Sequence, residues 1–211
     1  MNKNILENLP LKGIKVIDAA SFIAAPLVSA LMSDYGAEVI KIEALTGDTY
    51  REAVMGGHVW PESKIDWAFI LENRNKRSLA INLKTEYGRI ILKKLVNEAD
   101  VFVTNLPRKP REKLGLTSEI IRELNPKIIY ASLTGYGEIG PDSNRTALDS
   151  TAYFARSGLM EWAKTDETEG IPPFPIPGGG DHPTGLSLFT SVLLALMNRE
   201  KTGMGTTVST S

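Results

Sequence analysis

Three consecutive glycines lead into an aspartate at residues 178–181, directly before a long apolar segment. Pro183 suits the first helical position, and Asp181 or His182 suits the N-cap, so we predict a helix that carries the apolar residues 186–199. The free N–H groups and the dipole at a helix start favour an ionised Asp181 carboxylate. Glycine lets another group approach the backbone closely. An ionised, accessible carboxylate can act as a nucleophile toward an activated acyl group.

The composition narrows the chemistry that this chain can perform. Its 211 residues include no cysteine and only two histidines. This excludes disulfides, a cysteine nucleophile and thiolate metal sites, and it gives little support to any metal site. A net charge of -1 offers no argument for a nucleic-acid or membrane partner. The start of the chain has no apolar signal segment, and the longest apolar stretch is too short to span a bilayer, so we expect a cytoplasmic protein.

The elements that must position Asp181 alternate between strands and helices. Strands are predicted at 14–18, 38–43, 79–82, 101–103 and 127–132, with the start of another strand at 207–211. Helices are predicted at 26–35, at 86–98 and from a cap at Thr117 or Ser118 to 124. Residues 44–75 read as loops with a short helix, and the prolines at 172–177 as a stiff extended connector. This alternation predicts an α/β fold with a doubly wound, mostly parallel, Rossmann-like sheet.

Ligands of such sheets bind beyond the carboxyl ends of the strands, where residues 18–25, 105–107 and 134–136 lie. The first strand is not followed by a Gly-x-Gly-x-x-Gly fingerprint, and the sequence contains no Walker-type phosphate loop. A nicotinamide dehydrogenase or a nucleotide hydrolase therefore lacks its usual signal.

Several segments together resemble the class III CoA-transferase family, of the formyl-CoA and carnitine-CoA transferase type. They lie at 11–18, 36–43, 47–48, 75–78, 99–105, 133–137, 140–141 and 201–205. Each is weak alone, but their order and spacing, from about residue 11 to the last residue, are typical of the family. Four segments are closest to the 2-hydroxyacyl-CoA branch of amino-acid-fermenting anaerobes. They lie at 21–26, 135–138, 149–156 and 180–182.

The resemblance implies an enzyme that moves CoA between an acyl-CoA and a free carboxylic acid, with a 2-hydroxy acid as the preferred candidate. The family's nucleophile is an aspartate in a Gly-Asp-x-x-x-Gly setting before a long helix, which Gly180, Asp181 and Gly185 match. The reaction passes through an aspartyl anhydride and an aspartyl-CoA thioester. It implies no metal, no ATP and no permanently bound cofactor, since CoA and acyl-CoA are substrates.

The resemblance also implies which residues meet the thioester end of CoA. The turn formed by Phe22, Ile23 and Ala24 occupies the position that contacts the pantetheine arm in the family. Some members have glutamine where Ile23 stands. Tyr136 matches an aromatic residue near the thioester.

The CoA nucleotide is implied to contact three further residues. Lys84 and Asn105 stand at the family's contact positions, and Lys113 stands where many members have arginine. A lysine keeps the charge of an arginine but not its two-pronged phosphate binding. From the residues alone, Lys84 and Lys113 are equally compatible with solvated surface lysines.

Three other polar residues have simpler readings. Asp18 ends a strand and is expected to form a turn rather than to catalyse. His182 is expected to cap or support the helix rather than to act as a base. His58 falls in a polar loop and is expected at the surface.

Two alternatives to the transferase remain open. A CoA-linked racemase of the same superfamily needs a histidine before the aspartate at 149, where this chain has Leu148. The other alternative is an inactive or partner-dependent CoA-binding fragment, because the family's chains are about twice as long and interlock as homodimers. Residues 1–211 are thus expected to form the N-terminal CoA-binding and catalytic α/β domain, without the second, smaller domain and the return segment.

Overall fold

The computed structural model describes residues 8–53, 61, 63–165, 169–170 and 176–211. Within them, six parallel strands form one sheet in the order β3-β2-β1-β4-β5-β6. The strands are β1 Lys15–Ala19, β2 Glu38–Glu43, β3 Arg77–Ala80, β4 Val101–Thr104, β5 Ile129–Leu133 and β6 Thr207–Thr210. This order confirms the predicted doubly wound α/β fold.

Helices cover both faces of the sheet. They are α1 Ala24–Asp34, α2 Trp67–Asn73, α3 Glu86–Glu98, α4 Arg108–Leu114, α5 Ser118–Leu124, α6 Leu159–Trp162 and α7 Asp181–Thr202. A 3₁₀ turn spans Thr49–Glu52, and a π-helix spans Asp149–Ala155. No helix in these described ranges is long and apolar enough to cross a membrane.

Most predicted elements are confirmed, with changes at their ends. The ends of β2 and α3 agree with the prediction, whereas β3 lies two residues earlier than predicted, because Arg77 pairs with Ile40 of β2. Helix α4 was not predicted, since its sequence has Leu114 and Pro110 as its apolar residues and thus no apolar repeat. The predicted proline connector lies outside the described residues except for 176 and 177, and His58 lies outside them altogether.

The core has one apolar layer on each face of the sheet. Helices α1 and α7 bury the first layer, which includes Val16, Val28, Met32, Val39, Val101, Leu188 and Val192. Helices α3 and α5 bury the second layer, which includes Ile17, Ile42, Leu92, Val96, Phe102, Ile121 and Tyr130. The central strands are thus apolar on both faces, as parallel sheets require.

The strand order reverses between β1 and β4, which are neighbours in the sheet. Asn105 joins the two loops that leave these strands. Its Oδ1 accepts a hydrogen bond from the Ser21 N–H at 3.0 Å, and its Nδ2 donates to the Ser21 carbonyl at 2.7 Å. The crevice at this reversal is where doubly wound sheets bind their ligands.

Helices α1 and α7 approach each other closely at their amino ends. A Cβ on Gly185 would overlap the carbonyl oxygen of Ala24. Because Gly185 lies one turn after Asp181, this approach places the start of α7 beside the loop that follows β1.

Candidate active site

Asp181 is the first residue of α7, and Gly180 is its N-cap. The predicted cap at Asp181 or His182 was wrong, and Pro183 occupies the third helical position rather than the first. The glycine turn takes the place of a capping side chain: its Gly178 carbonyl accepts a hydrogen bond from the His182 N–H, in the first turn of the helix, at 3.1 Å. The N-cap residue is a glycine and makes no side-chain cap hydrogen bond, and Asp181 lies after the cap, so capping does not occupy the Asp181 carboxylate.

The π-helix packs directly on the glycine turn. A Cβ on Gly180 would overlap the ring of Tyr153 and Oδ1 of Asp149, so only glycine fits. The same Asp149 oxygen accepts a hydrogen bond from the Gly180 N–H at 2.9 Å. Gly178 has a φ of +77°, a conformation that glycine adopts without strain. The glycine run is therefore needed for the close approach that its sequence predicted.

The environment of Asp181 disfavours the ionised form of its carboxyl group. The side chain is half-buried, and this burial raises its pKa to about 6, with the Asp149 carboxylate adding to the rise. His182 opposes the rise, and Glu72 adds a smaller increase. The carboxylate is still mostly ionised at neutral pH, as predicted, although burial and a like charge outweigh the favourable helix start.

His182 connects the glycine turn to helix α2. Its Nε2 lies 2.9 Å from Oε1 of Glu72, and its Nδ1 lies 2.8 Å from the Gly178 carbonyl oxygen. The hydrogen bond to Glu72 raises the pKa of His182 to about 9, against the effect of burial. This supports the expected supporting role, because an imidazole that is protonated at neutral pH is not available as a base.

The segment after β1 carries three predicted residues, of which Ala24 contacts α7. Phe22 has a φ of +65°, and its ring, 46% exposed, lies 5.7 Å from that of Tyr50. Such a backbone conformation costs about 1–3 kcal/mol and is typical of functional sites. Ile23 packs against the buried Tyr50 cluster, and Ala24 is buried where α1 meets α7.

Tyr50 contributes a neutral hydroxyl to this region. Burial raises its pKa to about 12, and the nearby carboxylates of Glu72, Asp181 and Asp66 add to the rise. Tyr50 is therefore a hydroxyl donor, not a base, at physiological pH.

A cavity of about 460 Å³ opens at the carboxyl ends of the first three strands. Its lining includes Ser21, Asp48, Lys84, Leu106 and Leu114. Among the residues that the resemblance assigned to the nucleotide, Lys84 therefore lies at a cavity beside the loop after β1.

The other predicted contacts are less directly placed. Lys113 is exposed on α4, and its neighbour Leu114, rather than Lys113 itself, lines the cavity. The amide of Asn105 is engaged in joining the loops after β1 and β4. Tyr136 lies under two guanidinium groups, with Arg145 at 5.5 Å and Arg156 at 5.0 Å from its ring centre.

Buried ion pairs lie beneath the carboxyl edge of the sheet. Asp18 is fully buried and accepts hydrogen bonds from Lys76 Nζ and Ser29 Oγ, each at 2.7 Å. It also accepts from the Ala20 N–H at 3.1 Å, so the expected turn-forming role is combined with an ion pair. Burial alone would raise the pKa of Asp18, but Lys76 and Lys41 outweigh it and lower the pKa.

Sequence reasoning missed Tyr50 and Glu72, and it used Asp149 only as part of a resembling segment. The run Asp48-Thr49-Tyr50 does carry a capping signal, since Asp48 accepts from the Tyr50 N–H at 2.9 Å. Glu72 carries no local signal, because its partner is 110 residues away. Over the described ranges, no group of three or more His, Asp or Glu side chains could hold a metal ion.

Comparison with known proteins bears directly on this site. The sequence model of CoA-transferase family III matches residues 11–211. The chain is 42% identical over 203 residues to (R)-2-hydroxy-4-methylpentanoate CoA-transferase of Clostridioides difficile, covering 95% of this chain and 50% of that protein. It is 40% identical over 199 residues to cinnamoyl-CoA:phenyllactate CoA-transferase of Clostridium sporogenes, covering 94% and 48%.

A solved structure has the same fold. The crystal structure of a CAIB/BAIF family protein from Brucella suis superposes with a TM-score of 0.84 at 33% identity, covering 97% of this chain and 53% of that one. The chain thus spans about half the length of the curated relatives that it matches. The match over residues 11–211, together with these identities, shows that the chain belongs to CoA-transferase family III.

Proposed function

We propose that this chain supplies the catalytic aspartate and the CoA-binding surface of a transferase that moves CoA from an acyl-CoA to a free carboxylic acid. The observation that carries the proposal is the Asp181 carboxylate, which is half-buried, not used as a cap, and presented by a glycine turn beside the loop after β1. A carboxylate removed from water is a stronger nucleophile than a solvated one, provided that it is ionised.

The proposed reaction exchanges bonds without net gain or loss of protons or electrons. An oxygen of Asp181 attacks the thioester carbon and the C–S bond breaks. CoA thiolate departs, and a mixed anhydride between Asp181 and the acyl group is formed. The thiolate then attacks the aspartyl carbonyl, and the donor acid departs as its carboxylate, leaving an aspartyl-CoA thioester. The acceptor carboxylate displaces the thiolate to form a second anhydride. Attack of the thiolate on the acceptor's acyl carbon releases the new acyl-CoA and restores Asp181.

The CoA surface would follow the loop after β1 into the cavity at the strand ends. Phe22, Ile23 and Ala24 would meet the pantetheine arm, since Ser21, just before them, lines the cavity and Ala24 contacts Gly185 of α7. Lys84 would pair with a phosphate of the nucleotide at the cavity mouth. Asn105 would act by holding the crevice open between its two loops.

Two contacts implied by the resemblance stay predictions with weaker structural support. Lys113 is one residue away from the cavity lining and would reach a phosphate only through its long side chain. Tyr136 would lie near the thioester end, with Arg145 and Arg156 above its ring.

A 2-hydroxy acid is the proposed class of acceptor. The proposal is supported by the two clostridial relatives, whose names specify 2-hydroxy-4-methylpentanoate and phenyllactate. Interlocking into a homodimer, as the family resemblance implies, is proposed for the longer protein rather than for this span.

Covalent trapping tests the proposal. The chain is mixed with cinnamoyl-CoA, hydroxylamine is added, and the peptides are examined by mass spectrometry. A hydroxamate on Asp181 that is absent from Asp181→Asn would support the nucleophile. An adduct on another residue, or an equal yield from Asp181→Asn, would contradict it.

CoA binding without turnover is the second candidate, and it is favoured by the cavity at the strand ends, whose lining does not include Asp181. It predicts a measurable dissociation constant for CoA but no hydroxamate with any acyl-CoA. A racemase receives less support, because Leu148, at the position of the required histidine, presents an exposed hydrocarbon side chain.

A further inference from the structure

His182 is held at both ring nitrogens by groups that accept hydrogen bonds. One partner is a carboxylate oxygen of Glu72 at 2.9 Å, and the other is the Gly178 carbonyl oxygen at 2.8 Å. A neutral imidazole has one N–H and can satisfy only one such acceptor. Two acceptors at its two ring nitrogens therefore call for an imidazolium that donates from both.

We propose that His182, fixed by Glu72, is a positioning residue that locks the glycine turn at 178–180 and thereby orients the Asp181 carboxylate. The inference deepens the proposed transferase function, because the group being oriented is the proposed nucleophile. His182 would not touch the reacting atoms. It would act through the Gly178 carbonyl, three residues before Asp181.

Helix α2 is well anchored for this purpose. The Nζ of Lys76, just beyond the helix, bonds to Asn73 Oδ1 at 2.9 Å and to the buried Asp18 at 2.7 Å. A rigid path of contacts therefore runs from β1 through Lys76 and α2 to Glu72 and His182.

The burial of Glu72 supports a specific role. The residue is 1% exposed, and its Oε2 has no hydrogen-bond partner among the described residues. Burying a carboxylate in this way is costly unless a cation compensates it. The cation in hydrogen-bond contact with it is His182, whose side chain is 43% exposed.

Three carboxylates surround His182 from separate elements. Glu72 faces it from α2, Asp181 from its own helix and Asp149 from the π-helix. The nearest cation on the α2 side is Lys76, which lies close enough to Glu72 for that carboxylate to raise its pKa. His182 thus lies among negative groups that favour its protonated form over the pH range in which the site would work.

The first test needs no catalytic activity. The chain has two histidines, so ring resonances in a nitrogen-15 NMR titration can be assigned by comparison with His58→Gln. We expect His182 to titrate near pH 9 and, in Glu72→Gln, to fall by about two units toward the ordinary histidine value. Glu98→Gln, an exposed carboxylate paired with Lys15, is the matched control and should leave the titration unchanged.

The same titration reports whether His182 positions the turn. The amide resonances of Gly179, Gly180 and Asp181 should move with the His182 titration and be displaced at neutral pH in Glu72→Gln. The proposal would be overturned if these amide resonances did not change as His182 titrates, or if the pKa of His182 were the same in Glu72→Gln. Because this readout does not depend on turnover, it decides the inference even where the transferase proposal fails.

Hydroxylamine trapping then tests whether the position of the glycine turn affects the reactivity of Asp181. In Glu72→Gln, the rate of hydroxamate formation on Asp181 at saturating cinnamoyl-CoA should fall at least tenfold, with the Kd for CoA within twofold of the wild type. Glu72→Asp keeps a carboxylate for His182 and should recover part of the rate. Equal loss in rate and CoA affinity would indicate a general structural role and contradict positioning.

Discussion

Asp181 combines a favourable position with an unfavourable environment. The start of a helix favours its ionised form, but burial and the neighbouring Asp149 carboxylate raise its pKa to about 6. The result is a carboxylate that is mostly ionised at neutral pH and yet close to protonation, which suits the proposed role of Asp181 as both a nucleophile and a leaving group.

The coupling between the two carboxylates leads to a prediction about pH. Asp149→Asn keeps an oxygen for the Gly180 N–H but removes the negative charge, so the pKa of Asp181 should fall below about 6. Hydroxamate formation requires the ionised form and should rise with pH through this pKa. The rise should therefore move to lower pH in the variant.

A matched substitution keeps this test specific. Asp100 pairs with Arg199 at the amino edge of the sheet, opposite the site, and Asp100→Asn should leave the pH profile in place. A profile that is unmoved in Asp149→Asn would show that Asp149 has no electrostatic influence on the reacting group.

At the scale of elements, the glycine turn and the π-helix depend on each other. In Gly180→Ala, the added methyl group would overlap Tyr153 and Asp149 and push the turn away from the π-helix. We expect the hydroxamate yield to fall at least tenfold, because an error of about 1 Å in placement can cost a hundredfold in rate. Mass spectrometry of the trapped peptide measures the loss.

Gly203→Ala is the control at the other end of the same helix. Gly203 has a φ of +70° but open space around it, so alanine there strains the backbone without a clash, at about 1 kcal/mol. This variant should lose stability while keeping its trapping yield. A comparable loss of yield in both variants would mean that the effect is only destabilisation.

The buried pair between Lys76 and Asp18 fixes α2 to the central strand. Both side chains are at most 2% exposed, so Lys76→Met would leave a buried carboxylate without its cation and should cost about 3–5 kcal/mol. Urea unfolding at neutral pH measures this cost. Adding Asp18→Asn should recover part of it, since the unpaired charge is then removed.

An exposed pair supplies the comparison for this measurement. Lys15 and Glu98 are 49% and 73% exposed, and Lys15→Ala should change the free energy of unfolding by less than about 1 kcal/mol. Equal effects at the two lysines would refute the view that burial makes the Asp18 pair important.

Sequence patterns predicted the features that neighbouring residues mark, and they missed the contacts between residues far apart in the sequence. Helix α3 was predicted to the residue because its apolar residues recur at helical spacing, and the structure adds Thr85 as its N-cap. The assignment of Asp181 as the nucleophile stays a prediction, which rests on the adjacent glycines together with the family resemblance. The roles of Glu72 and Asp18 were not predicted, since their partners lie 110 and 58 residues away and depend on the completed fold.

Conformations outside the common repertoire were also missed. The π-helix has neither the helical nor the strand period that pattern analysis seeks, and a positive φ at an aromatic residue such as Phe22 has no local signature. Both lie at the candidate site, where local preferences are most often overridden.

At the scale of the whole molecule, the crevice between β1 and β4 predicts stabilisation by CoA. Ligand at about 100 times its Kd should add about 2.7 kcal/mol. For a domain of this size, that corresponds to a rise in Tm of about 5–10 °C. Thermal unfolding with and without CoA measures it, and Asp181→Asn should keep the rise because it removes chemistry rather than binding.

The positive charge of Lys84 at the cavity supplies the control for this measurement. Lys84→Ala should reduce the rise in Tm, whereas Lys127→Ala, an exposed lysine just before β5 at the amino edge, should not. Absence of any rise with CoA would place the nucleotide elsewhere and contradict the assignment of this cavity.

The π-helix at Asp149–Ala155 has a consequence for comparing relatives by sequence. A π-turn holds one residue more than an α-turn, so deletion of a single residue would let the segment relax to an α-helix. Successive helical residues are about 100° apart around the axis. Asp149 would therefore rotate away from the Gly180 N–H, from which it now accepts a hydrogen bond. A one-residue gap in an alignment of this segment would therefore indicate a changed wall of the candidate active site, and relatives that differ there should not be assumed to share substrates.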